Sequence, residues 1–214
     1  MLFRSQGYDV LNVGPSDMGH GMVLGAASGG SSMAMTAAEI GAVIQHSSGF
    51  GALQFGSGGL QGLVSVDALD FTQASMLRGA STLNSHIEFT SGSGGITVNG
   101  ALKSAVADGY NFQLTSWGGA VTLGSNSALA AATGQLTFFG AGNAVTQQAG
   151  STINAAHLSL GGDSSFDLRA GTNTVGTIDG NVGNSGQVKT SGSVTVGSNG
   201  LAFDGALKIG RAHV

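Results

Sequence analysis

The sequence predicts an all-β fold, a right-handed parallel β-helix (solenoid) with one short helix near residues 36–45. Three observations carry that expectation. The stretch Ile87-Glu-Phe-Thr-Ser-Gly-Ser-Gly-Gly-Ile-Thr-Val98 aligns without a gap on Phe112-Gln-Leu-Thr-Ser-Trp-Gly-Gly-Ala-Val-Thr-Leu123, one repeat further on. Within it the apolar positions Ile87, Phe89, Ile96 and Val98 fall on Phe112, Leu114, Val121 and Leu123. Alternation of this kind marks strands with one buried and one wet face. Finally, 39 glycines and a single proline break the chain into short strands with tight turns. A two-strand unit repeating at a period of roughly 25 residues cannot bury its own apolar face, so it must stack on its neighbours.

Taken in order, the first part, residues 1–50, is irregular. Val10-Leu11, Met22-Val-Leu24 and Met33-Ala-Met35 read as short strands, with a turn at Gly14-Pro15-Ser16-Asp17. Thr36-Ala-Ala-Glu-Ile-Gly-Ala-Val-Ile-Gln45 reads as the helix. Thr36 and Glu39 have capping-box spacing, and Ile40, Val43 and Ile44 form an apolar stripe. We expect the helix to broaden one corner of a coil, with Glu39 acting as a cap rather than a catalytic acid. From Ala52 strands dominate, among them Ala52–Phe55, Leu63–Val66, Leu69–Phe71 and Met76-Leu77. After the doubled unit come Leu136–Phe138, Val145, Ile153, Leu158–Leu160, Phe166–Leu168, Val175, Ile178, Val188, Val194–Val196 and Leu201–Phe203. Val121–Ser127 recurs as Val194–Gly200, with Asn126 and Asn199 suited to a positive φ in the turn. Asn143 and Asn173 are placed to stack as an amide ladder. The chain length gives roughly nine coils and a rod on the order of 45 Å. Residues 1–209 read as one β-helix piece of a longer protein. Gly210–Val214 resembles a translated sequencing adapter and is set aside as a non-native tail.

Composition excludes several classes. Charged residues are 8% of the chain and the net charge is −4, with no Lys/Arg run, so nucleic acid is not expected as a partner. No apolar run approaches the ~18 residues of a spanning helix. A 6% aromatic content is thin for the girdles of an outer-membrane barrel. Cysteine is absent, which removes disulfides and thiolate metal sites and suits a chain exported unfolded.

The chemistry-bearing residues are sparse. Asp67 and Asp70, three apart along a strand, point to opposite faces and make a poor acid/base pair. Asp179 and Asp204 are spaced by the repeat and are expected to stack, while Asp163, Asp167 and Arg169 are close in sequence. Paired carboxylates can cleave glycosidic bonds, but Asp beside Gly, as in Gly161-Gly-Asp163 and Asp179-Gly180, reads as a turn residue. His20, His46, His86 and His157 are scattered and form no zinc pattern. The glycine-rich stretches lack the Lys-Ser/Thr of a phosphate loop. Trp117, in a turn, either touches sugar or folds back over the corner. No catalytic, cofactor or metal residue is therefore assigned.

Thr36-Ala-Ala-Glu-Ile40, Gly95-Ile-Thr-Val-Asn-Gly-Ala-Leu102, Gly140–Gly150, Leu158–Leu160, Phe166–Leu168, Asn173–Ile178 and Val194–Gly197 together resemble the coils of filamentous haemagglutinin-like proteins. These are large bacterial exoproteins exported by two-partner secretion or as autotransporter passengers. The resemblance implies a segment of an adhesin-like passenger of type V secretion, secreted or displayed on the outer membrane of a Gram-negative bacterium. Its partners would be an outer-membrane translocator during export, adjacent coils of the parent chain, and glycans or proteins of a host or neighbouring cell. The competing expectation is a carbohydrate-active β-helix enzyme, a polysaccharide lyase or hydrolase. Acidic and basic side chains converging in one groove would distinguish it.

Overall fold

The computed structural model describes residues 2–6, 10–26, 32–46, 52–72, 87–103, 112–141, 143–169, 172–182, 188–190 and 196–203. The chain opens with β1 (Leu2–Gln6), β2 (Val10–Gly14), β3 (Met22–Gly25) and β4 (Met33–Thr36), followed by α1 (Ala37–His46). Next come β5 (Ala52–Gly56), β6 (Val64–Val66), β7 (Leu69–Asp70), β8 (Ile87–Ser91), β9 (Ile96–Val98) and β10 (Ala101–Lys103). The second half holds β11 (Phe112–Ser116), β12 (Val121–Leu123), β13 (Ala128–Gly140), β14 (Val145–Gln147) and β15 (Thr152–Gly162). It closes with β16 (Phe166–Leu168), β17 (Thr172–Val182), β18 (Val188–Thr190) and β19 (Val196–Phe203).

The fold is all-β apart from α1, and solenoid-like. Each strand pairs in parallel with its counterpart one circuit later. A first column runs β2-β5-β8-β11-β13-β15-β17-β19, and a second runs β4-β3-β6-β9-β12-β14-β16-β18. A third column passes from β7 through β10 to the opening residues of β13 and β15, then to β17. In the later circuits the third- and first-column strands fuse, so β13 bends at a register break between Ala131 and Gln135. The first column gives eight parallel levels among the described residues, against the roughly nine coils expected.

Circuit length falls along the chain. On the first column Asn12 pairs with Gln54, and Glu88, Gln113, Thr137, Ser159 and Asp179 follow level by level. The sequence separation between bonded side chains in adjacent circuits tracks the change. It is 42 for Asn12 and Gln54, 33 for Asp70 and Lys103, 25 for Glu88 and Gln113, and 20 for His157 and Thr177. A single repeat length read from the doubled unit therefore miscounts the coils at both ends.

The alternation places the expected residues inside. Ile87, Phe89, Ile96, Val98, Phe112, Leu114, Val121 and Leu123 are all fully buried and belong to one continuous core. Burying each such side chain contributes about 1.5–3 kcal/mol. Phe55, Phe89 and Phe112 run up the first column with ring centroids 5.9 and 6.4 Å apart, and Phe71 joins Phe112 at 5.4 Å. These offset and tilted contacts suit the ring quadrupoles. Two inward positions depart from the pattern. Gln147 occupies the place held one level earlier by Leu123, and Asn173 follows Leu69, Leu102, Leu129 and Ile153 in the third column.

The helix forms as its capping box demands. The Thr36 N–H donates to Glu39 Oε2 at 2.8 Å, and the Glu39 N–H donates to Thr36 Oγ1 at 3.3 Å. The location differs from the expectation of a broadened corner. α1 follows the outermost strand of the second column and packs on β3 and β4. Its Ile40 and Ile44 are fully buried in the core shared with Met22, Leu24 and Met35, so the stripe closes the first end of the apolar column. β1, the one antiparallel strand among the described residues, runs along β2 and covers the open edge of the first column at the same end.

Candidate functional site

The described charged side chains lie on different parts of the surface. Asp70 and Lys103, in adjacent circuits of the third column, form an ion pair at 3.2 Å, and Asp70 also accepts from the Thr72 hydroxyl. Asp67 accepts from Asn99 Nδ2 at 3.3 Å rather than facing Asp70. On the second column Asp167 holds Arg169 with two bonds, Nε at 2.8 Å and a terminal nitrogen at 2.6 Å. That pairing raises the Arg169 pKa further. Asp163 lies in the turn after β15, while Asp167 is on β16. Asp204 and the side chain of Asp179 fall outside the described residues.

The first-end turn carries Asp17 and His20, 2.9 Å apart. The Gly19 N–H, and then His20, hold the Asp17 carboxyl below its ordinary value. Glu39 is likewise lowered, first by the Thr36 N–H and then by the Thr36 hydroxyl. Each shift comes from local turn or cap geometry. His157 Nδ1 lies 2.6 Å from Thr177 Oγ1 one circuit on. Among the described residues no group of three His, Asp or Glu side chains is placed to hold a metal ion. His86 and the side chain of His46 fall outside the described residues.

Two features define the candidate surface. The first is a shallow depression of about 380 Å³ lined by Thr146, Gln147, Asp167 and Arg169. Its charged groups already satisfy each other. Gln147 is buried and turned inward, exchanging two amide bonds with Asn173 at 2.8 and 2.9 Å. Asn173 also donates to Leu168 O at 2.7 Å and accepts from the Ile153 N–H at 3.0 Å. The expected Asn143–Asn173 ladder does not form. Asn143 is exposed and donates to Gly118 O. The partner for Asn173 is Gln147, because Asn173 sits in an inward column and Asn143 in an outer turn.

The second feature is aromatic. Trp117, in the turn after β11, is 55% exposed. Its ring lies beside Gly58, in the turn after β5, and a Cβ built on Gly58 would come within 2.8 Å of Trp117 Cδ1. Phe139, one circuit later on β13, packs against it with centroids 5.2 Å apart and planes tilted by 55°. Trp117 thus folds back over the corner while leaving part of its ring in solvent. The side chain of Phe139 was legible in principle. Phe138 and Phe139 are consecutive in an alternating strand, so one of the two must face outward.

Beside this pair runs a row of polar side chains on the outer side of the first column. Asn12 Nδ2 donates to Gln54 Oε1 at 2.7 Å, and Gln54 Nε2 to Thr90 Oγ1 at 2.9 Å. Gln113 Nε2 bonds Glu88 at 3.2 Å and Thr115 at 2.9 Å. Thr90 and Thr115, although outward in register, are buried. Comparison with known proteins adds no identity: no family model, curated protein or solved structure gives a significant match to this chain.

Proposed function

We propose that this chain is a segment of a right-handed parallel β-helix from a bacterial surface exoprotein, acting as a structural and adhesive rod without catalysis. The carrying observation is the in-register parallel pairing from β2 to β19, which builds a linear stack around one apolar core. Right-handed winding follows from the near-universal hand of parallel crossover connections. The resemblance of its coils to filamentous haemagglutinin-like repeats supports export by a type V route through an outer-membrane translocator, and display at a Gram-negative cell surface. The scattered ion pairs Asp17–His20, Asp70–Lys103 and Asp167–Arg169 support a non-catalytic role.

The test is attachment. Beads coated with the chain should bind epithelial or bacterial cells more than albumin-coated beads do, and soluble chain should compete. Depolymerisation of pectate or another polysaccharide, lost in Asp167→Asn or Asp70→Asn, would instead establish the lyase or hydrolase alternative.

A further inference from the structure

We propose that the first end of the stack is an oxidation-sensitive closure, in which sulfoxide formation at Met18 and Met33 releases α1 from the apolar column. This is a modification site rather than a ligand site, and it holds whatever the rod attaches to.

The methionines of the described residues, Met18, Met22, Met33 and Met35, all lie at this end. On the second column Met22 pairs with Met33, and the same inward row continues as Val64, Ile96, Val121 and Val145. Met35 begins the neighbouring inward row, beside Leu24. Thioethers thus take the place of aliphatic side chains where the outermost strand, β4, meets a helix instead of another strand. A helix face does not repeat the spacing of a strand, and an unbranched, flexible thioether fills such a mismatch. Ile40 and Ile44 of α1 are fully buried in the same core, with Ala37 and Val43 packed against it.

Access divides the four into two pairs. Met22 and Met35 are buried, whereas Met18 and Met33 are partly exposed and pack on the edge of the core. Met18 lies in the turn before β3, its Sδ 3.4 Å from the Ser57 hydroxyl. A two-electron oxygen donor such as hydrogen peroxide reaches this outer pair first. The sulfur gives an electron pair to one peroxide oxygen, an S–O bond forms, the O–O bond breaks, and the other oxygen leaves as water. The product is a polar, chiral sulfoxide. Packed against this apolar cluster, its oxygen either loses hydration or draws water in, and both weaken the seat of α1. Opening then uncovers Met22 and Met35, so the first oxidation exposes the second pair. Reduction of the sulfoxides to thioethers reverses the release.

The 214-residue chain is treated at neutral pH with graded hydrogen peroxide, and peptide mass and amide exchange are read together. Sulfoxide is expected at Met18 and Met33 before Met22 and Met35. Protection of α1 should fall at least ~10-fold while that of β8 and β11 stays within ~2-fold. Met18→Leu combined with Met33→Leu, which conserves volume, should keep α1 protected at the same dose although four methionines remain. Methionine sulfoxide reductases with dithiothreitol should restore protection in the unsubstituted chain. Sulfoxide at Met18 and Met33 with α1 protection unchanged would overturn the proposal. So would equal oxidation rates at all four sulfurs, equal loss of protection in the double variant, or simultaneous loss across β8 and β11. If circular dichroism shows the double variant unfolded, the order of oxidation and the reductase rescue in the unsubstituted chain decide.

Discussion

The two halves of the stack reach the same architecture by different means. In the first half the circuits are long, with side-chain partners separated by 42 at Asn12–Gln54 and by 33 at Asp70–Lys103. There Phe55, Phe71 and Phe89 form one run of touching rings, joined through Phe112 of β11. In the second half the separation shortens to 20 at His157–Thr177, and third- and first-column strands fuse. Phe138 and Phe166 are fully buried there as well, while Leu158, Leu160 and Ile178 take the later first-column places. The inward amide pair Gln147–Asn173 also belongs to this half. A long circuit tolerates extra chain because loop closure grows costly only slowly with length. A short circuit leaves less slack between its strands. The difference teaches that stacking needs constant register, not constant repeat length.

The largest expected effect probes the ring stack. Phe89→Ala, which removes the ring between Phe55 and Phe112, should cost about 3–5 kcal/mol in urea unfolding. Leu160→Ala in the second half should fall in the lower part of the ~2–5 kcal/mol range. Equal costs would mean that the rings add nothing to the first half beyond their area.

The next tests corner tightness. Gly162 has φ +85°, and a Cβ there would collide with the Gly140 carbonyl. Gly162→Ala should destabilise by about 1–3 kcal/mol. Gly118→Ala, whose Cβ would find its nearest neighbour at 3.5 Å, should stay within ~0.5 kcal/mol. Thermal melts of the two variants sharpen the contrast between a forced and an open corner.

The third addresses the amide pair. Gln147→Leu makes the second column apolar again, yet it should destabilise by about 1–3 kcal/mol, because the inward Asn173 amide loses its reciprocal partner. A gain in stability would show that the polar intrusion is a burden which the short circuits carry.

The smallest concerns the first end. The Glu39 carboxyl, lowered by its cap bonds, contributes stability that is fully present above the ordinary glutamate value of 4.5 and is lost as pH falls through the lowered value. Protection factors in α1, corrected for the intrinsic exchange rate, should fall as the solution is acidified through that range, while those of β8 and β11 hold. Glu39→Gln should remove this fall in α1 protection.

Much of the interior was legible because strands announce themselves by alternation. The inward set from Ile87 to Leu123 and the helix over residues 36–45 follow from spacing alone. Other parts carried no such signal. The opening residues of β13, Ala128–Ala131, are nearly all alanine, which gives neither strand propensity nor contrast between faces. Asn173 was expected to ladder with Asn143, and Gln147 carried no inward signal, because spacing does not show which amide the neighbouring circuit supplies. The location of α1 is likewise a tertiary matter, since its stripe specifies that something must be covered, not what. β1 was missed because Leu2–Gln6 lacks alternation, and its antiparallel pairing breaks the rule of the other strands. Of the candidate surface, Trp117, Asp167 and Arg169 stood out in the sequence. The brace of Trp117, Phe139, needed the register of a neighbouring circuit to be recognised.

Because each level bonds only to the level before and after it, the stack has a mechanical grain. Tension applied between the two chain ends reaches the last circuit first and peels it away, strand by strand, before the next is loaded. Each of the short later circuits, about 20 residues round, would release about 70 Å of extended chain. Force spread over the outer faces instead loads many ladder bonds of several levels together. A rod wound this way lengthens in steps when drawn by its tail and resists when gripped along its side.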